Sequence, residues 1–156
     1  MTLRRVLIAL LAGALGGFSI FGVLVYRASS VEHLEPAEAL ERFAAIRRDG
    51  SPREPLLTFD EDGRVVRRRT LPADAPAPLS RLRALAYQAT DRRLVSVDMP
   101  FWFFELKAPA AGYVLGGTGL DLDRLGITAA DLKQHGPGIV VDHTRQNGDR
   151  LLVWTE

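Results

Sequence analysis

The longest apolar stretch of the chain runs from Val6 to Val25, VLIALLAGALGGFSIFGVLV, 20 positions without a charge or an amide. At ~1.5 Å per residue a helix of that length covers the ~30 Å hydrocarbon core of a bilayer. A helix also satisfies its own backbone hydrogen bonds, as lipid demands. Four glycines lie within it, which membrane spans tolerate. Arg4 and Arg5 flank one end, Tyr26 and Arg27 the other, and both pairs suit the headgroup layer. The pattern predicts a transmembrane anchor. A cleaved secretory signal has a shorter apolar core of ~7–15 residues, and only a weak small-residue site follows here, at Ala28 and Ser30.

Beyond the anchor the spacing changes. Residues 1–30 are read as basic tail and span, 31–156 as one domain, with 31–35 as a short tether. A helix is expected from Pro36, with Glu38 and Glu41 near its N-terminus. Leu40, Phe43 and Ala44 form its stripe, Arg47 and Arg48 its C-terminal end, and Gly50 its stop. A hairpin is expected from Leu56–Phe59 and Arg64–Leu71 around Asp60-Glu61-Asp62-Gly63. Residues 72–78 read as a stiff linker, and Leu79–Ala89 as a short helix presenting Leu82, Leu85 and Ala86. Leu94–Val97 reads as strand and runs on to Leu106, with Pro100 marking an edge or bulge. Residues Ala108–Gly119 are small and glycine-rich. Thr128 with Asp131 resembles a capping box opening a helix to His135, which Gly136-Pro137 ends. Ile139–His143 and Arg150–Thr155 flank Asn147-Gly148, a strong hairpin signal. The sum is an α+β domain with a mostly antiparallel sheet, two hairpins and three short helices.

Composition sets the surroundings. Arg outnumbers Lys by 18 to 2, with abundant Ala, Leu and Gly, the mark of a GC-rich, bacterial genome. The basic tail before the span and the long domain after it predict a cytoplasmic N-terminus and a periplasmic domain at the inner membrane. Setting aside Arg4, Arg5 and Arg27, 17 basic residues face 19 acidic ones, a formal charge of −2. That balance argues against nucleic acid as a partner. With no cysteine, disulfides and thiolate metal sites are excluded.

Candidate chemistry is sparse. The acidic loop at 60–63 lacks calcium-loop spacing, which would call for oxygen ligands where Thr58 and Arg69 stand. Gly116-Gly117-Thr118-Gly119 lacks both the third glycine of a dinucleotide fingerprint, since Leu122 stands there, and the lysine of a phosphate loop. No Gly-x-Ser-x-Gly elbow occurs. Asp142 and His143 end a strand that His135 and Asp98 can approach in space, but no spacing marks a metal or catalytic site, and no cofactor is expected.

Three features point to surfaces instead. Ala9, Gly13 and Gly17 stack every four residues along the span, with Ala12 and Gly16 beside them, a groove for a second transmembrane helix, its own copy or a larger partner. Phe101, Trp102, Phe103 and Phe104 cannot all share one face of a strand, so part of the run is a candidate interface. Arg64, Arg67, Arg68 and Arg69 are concentrated on one strand, either as a solvated edge or as contacts to anionic lipid headgroups. The role these features imply is a single-pass accessory or interaction subunit of a membrane assembly. A periplasmic small-ligand sensor is the alternative, and an anchored hydrolase the weaker one.

Overall fold

A computed structural model describes residues 29–49, 54–60, 64–68, 78–106 and 125–156. The apolar run Val6–Val25, the segment 61–63, Arg69, most of the stretch 72–78 and the glycine cluster 116–119 lie outside the described residues, and so do the side chains of Arg67 and Arg68. Among the described residues no helix is long and apolar enough to cross a membrane.

In chain order the elements are β1 (Ser29–His33), α1 (Pro36–Asp49), β2 (Leu57–Phe59), β3 (Val65–Arg68), β4 (Arg81–Gln88), β5 (Arg93–Pro100), α2 (Phe101–Glu105), α3 (Ala129–His135), β6 (Gly138–Thr144) and β7 (Arg150–Thr155). The strands form one seven-stranded sheet in the order β1-β5-β4-β7-β6-β2-β3. Every pairing is antiparallel except β2 with β6, aligned at Leu57 and Val141. This is the expected α+β domain with a mostly antiparallel sheet.

Both faces of the sheet are covered. On one side α1 lays Ala39 and Phe43 over Leu85, Tyr87, Leu94, Ile139 and Leu152. On the other, Leu82, Ala84, Ala86, Val95, Val97, Met99 and Val153 pack with Phe101 and Phe103 of α2 and Leu132 of α3. The alternation along β4 is plain: Leu82, Ala84 and Ala86 to one core, Leu85 and Tyr87 to the other.

That double burial overturns the expected helix at Leu79–Ala89. A strand apolar on both faces loses its period-two signature. The spacing of Leu82, Leu85 and Ala86 then imitates a helical stripe, in residues that also favour helix intrinsically. Pairing with β5 and β7 on either side decides for strand.

Three other expectations change. The tether at 31–35 is largely strand: Ser29–His33 pairs residue by residue with β5, from Ser29 opposite Val97 to His33 opposite Arg93. The stripe of α1 is rotated, with Ala39 and Phe43 buried and Leu40 and Ala44 exposed. The strand expected to reach Leu106 stops at Pro100, and Phe101–Glu105 turns into helix α2, where the Phe101 N–H donates to Ser80 O at 2.9 Å. Pro100 stands three residues beyond Val97, the partner of Ser29 at the start of β1, where among the described residues no strand pairs with that edge of β5 and a missing N–H is tolerated.

The C-terminal third matches its signals. The Thr128 hydroxyl accepts from the Asp131 N–H while the Asp131 carboxylate accepts from the Thr128 N–H, closing the capping box. Gly148 takes φ +89 in the β6–β7 turn, a left-handed conformation that favours glycine, and a Cβ there would meet Ala89 Cβ at 3.2 Å.

Candidate functional site

Among the described residues a concavity lies at one end of the sheet, under the C-terminal turn of α1. It is a cleft of about 460 Å³ lined by Ile46, Asp49, Arg83, Pro137, Gly138, Ile139, Trp154, Thr155 and Glu156. Strand alternation creates it. Arg83 and Trp154 are register partners on the α1 side of the sheet, beyond the reach of Phe43. Gly138, with φ +148, and Pro137 leave the floor without a long side chain.

A charged network edges the cleft. Arg83 Nη1 donates toward Glu156 Oε1 at 3.1 Å, and Arg83 Nε lies 3.4 Å from Asp98 Oδ1, out of hydrogen-bond geometry. Arg81 Nε donates to the same Asp98 oxygen at 2.6 Å, and that bond raises the Arg81 pKa. Trp154 Nε1 donates to Glu156 at 3.1 Å. The Nε of Arg83 is thus buried with no hydrogen-bond partner, an uncommon condition for a charged donor.

The residues singled out for acid–base chemistry do not meet. Asp142 and His143 are neighbours on β6 and so project from opposite faces. Asp142 is opposite Leu152, of the α1-side core, and His143 is opposite Leu151, which packs on the other. The Asp142 carboxylate is engaged by Arg47, whose Nε and Nη2 donate at 2.7 and 2.6 Å. This bond raises the Arg47 pKa against the lowering effect of burial. Arg47 also lies 5.9 Å over the Phe43 ring, so the pair fastens the last turn of α1 to β6. His143 packs on Phe59 with ring centroids 5.3 Å apart. Burial, then Arg145, lowers its pKa, and its Nε2 is buried without a partner. His135 is buried on α3 and donates to Ile139 O at 3.0 Å. Asp98 serves Arg81. Among the described residues no group of His, Asp and Glu is placed to hold a metal ion.

The aromatic run divides. Phe101 and Phe103 are buried and Phe104 is half-buried, while Trp102 is 52% exposed. Leu106, one turn on, is 67% exposed. Helix geometry resolves what a strand cannot: α2 drives two rings into the core and turns the indole out. Lys133 of α3 pairs with Glu105 and lies 5.9 Å over the Phe101 ring, which holds α2 and α3 together. Of the arginine cluster, Arg64 is exposed at the start of β3 and its N–H donates to Asp60 Oδ1 at 2.8 Å.

Sequence reasoning missed Arg83, Trp154, Glu156 and Leu106. Arg81 and Arg83, two apart, are the signal for a shared strand face, hidden because the segment reads as helix. Leu106 was hidden because the stretch reads as extended, which separates it from Trp102. Comparison with protein-family models, with characterised proteins and with solved structures finds no match for the chain.

Proposed function

We propose that this chain is a single-pass, membrane-anchored accessory subunit of a bacterial inner-membrane assembly, with the span at about residues 6–25, the N-terminus in the cytoplasm and the sheet domain in the periplasm. The observation that carries the reading is that Ser29, the first described residue, is already paired in the sheet. Only residues 26–28 separate the uncharged run from Ser29, which is already opposite Val97 in the sheet. Three residues span at most about 10 Å. A domain on so short a connection stays at the bilayer surface, beside whatever the span packs against. A long tether would instead suit a domain that searches for distant ligands. The row Ala9, Gly13 and Gly17, with Ala12 and Gly16, supplies a face for that packing.

The test uses the full chain. It should resist carbonate extraction from membranes, and a periplasm-dependent reporter fused after Glu156 should be active. In a membrane-dimerisation assay, or on purification of the complex in mild detergent, Gly13→Ile and Gly17→Ile should lose association while Leu7→Ile keeps it. Release by carbonate, or equal association of all three variants, overturns the reading.

A second reading has one observation in its favour. The cleft at Arg83 combines apolar walls with a buried Nε that makes no hydrogen bond, although Asp98 lies 3.4 Å away, an arrangement that suits a small-ligand module. Asp49 and Glu156 line the same cleft and offset the cation, which is why this reading ranks second. Thermal stabilisation by a metabolite, lost in Arg83→Met, would promote it. Among the described residues the hydrolase alternative has no nucleophile–base pair in its favour.

A further inference from the structure

We propose that Trp102 and Leu106 of α2 form a second membrane contact, seated in the interfacial layer of the bilayer; the proposal rests on the anchored reading above. The geometry begins with register. Ser29 is opposite Val97, and β5 runs antiparallel to β1, so β5 continues past the start of β1 toward the side from which the chain arrives. It continues for three residues, to Pro100, and at ~3.3 Å per residue reaches about 10 Å beyond Ser29. That is also the most that residues 26–28 can span. Helix α2 starts at the next residue, so on the anchored reading it lies about as far from Ser29 as the end of the span can.

The chemistry of α2 fits that level. Phe101 and Phe103 are 1% and 6% exposed and fix the helix against the core. With those two seated, Trp102 and Leu106 come out together, four residues apart and hence on one face. The Leu106 N–H donates to Trp102 O at 3.2 Å, which continues the turn and keeps the two stacked. An indole beside an aliphatic side chain is the pairing that favours the headgroup boundary, where one end of the ring is wet and the other apolar. The other exposed large apolar residues, Val31, Leu40, Val65 and Val66, lie on other elements, so α2 carries the only such helical pair among the described residues. Among the described residues nearby charges are matched, Arg81 with Asp98 and Lys133 with Glu105. The contact is therefore apolar insertion and does not require anionic lipid.

The experiment uses the full chain reconstituted into phosphatidylcholine vesicles carrying a shallow brominated lipid. Co-flotation with vesicles is measured first. The chain has two tryptophans, and Trp154→Phe leaves Trp102 as sole emitter. Trp102 should be quenched at least twofold by the brominated lipid and protected from aqueous acrylamide. Leu106→Asp should at least halve the lipid quenching, and replacing a third of the lipid by phosphatidylglycerol should leave it unchanged. Should Trp154→Phe fold poorly, the difference in quenching between wild type and Trp102→Phe isolates the same signal. Floating vesicles in which Trp102 stays open to acrylamide overturn this inference and leave the anchor standing. Protection from both quenchers means that protein, a second copy or a partner subunit, covers α2, and overturns it too. Failure to float overturns the anchored reading itself.

Discussion

Phe43 and Leu40 stand three positions apart on α1, and replacing each by Ala separates two accounts of how that helix packs. Phe43 is fully buried against Leu85, Tyr87, Leu94, Ile139 and Leu152, while Leu40 is 43% exposed. A buried phenyl ring removes ~150–200 Å² from water, worth roughly 4–5 kcal/mol at ~25 cal/mol per Å². Ala keeps a little of that, and the cavity adds to the loss, so Phe43→Ala should cost ~3–5 kcal/mol. The ring also supports the Arg47 guanidinium 5.9 Å away, an effect of about 0.5–1 kcal/mol. In a domain of this size 1 kcal/mol moves the melting midpoint by roughly 4 °C, so the midpoint should fall by about 10–20 °C. Leu40→Ala removes half-solvated surface and gains helix propensity, and should stay within ~0.5 kcal/mol of wild type. The assay is thermal and urea denaturation of the full chain in detergent micelles, followed by far-ultraviolet circular dichroism. A loss below ~1 kcal/mol for Phe43→Ala would refute the burial of Phe43 in either account, and a loss above ~2 kcal/mol for Leu40→Ala would restore the stripe of Leu40, Phe43 and Ala44 and refute the rotated packing of α1.

The bidentate Arg47–Asp142 pair is half-buried, so a double-mutant cycle with Arg47→Ala and Asp142→Ala should give a coupling of ~1–2 kcal/mol, reduced little by salt; a coupling near zero would detach α1 from β6. Burial lowers the His143 pKa, so a proton binds the unfolded chain more readily than the folded one. This residue's share of stability is therefore present above the ordinary histidine pKa of 6.5 and is lost as pH falls from there toward the lowered folded value. His143→Phe, which keeps the ring beside Phe59, should flatten the melting profile between pH 7.5 and 5, reading the window from ~6.5 downward; an unchanged slope would place the titration elsewhere.

The C-terminal third of the fold was legible in the sequence, whereas β1 and the central strand β4 were not. The α3 cap and the β6–β7 turn are specified by side chains that bond their own backbone, as Thr128 and Asp131 do, or by a glycine at positive φ, as Gly148. Such signals survive without tertiary context. By contrast β4 holds the centre of the sheet, and its apolar pattern reports two cores at once, so it imitates a helix. β1 fails in the opposite direction: Ser29–His33 is short and polar because it is an edge, and edge strands are protected by charges such as Glu32. Four aromatics in a row cannot all share one strand face, but which of them is outside depends on the turn into α2 after Pro100. The charged network at the cleft was illegible because it joins residues from three strands, Arg81 and Arg83, Asp98, and Glu156 just past β7, and no local spacing connects them.

Two groups compete for contact with the bilayer on the anchored reading, the arginines of β3 and the apolar pair of α2, and distance from the anchor point decides between them. β5, which leads into α2, is one strand from β1. Across one step a sheet turns by ~20–25° and shifts by ~4.8 Å, so the direction set by β1 still holds at α2. β3 is six strands away, at the far edge. Six steps accumulate ~120–150° of twist over about 29 Å, so β3 no longer runs in the direction in which β1 leaves the membrane. Exposed charge is screened within ~8 Å at physiological salt, too short a range to restore the connection. Arg64 is also held at the turn by its N–H bond to the Asp60 carboxylate, which places a negative charge beside it. On the anchored reading the solvated-edge account of this strand is therefore favoured over lipid contact. On that reading, membrane contact beyond the span is proposed for Trp102 and Leu106, which follow the strand paired with β1.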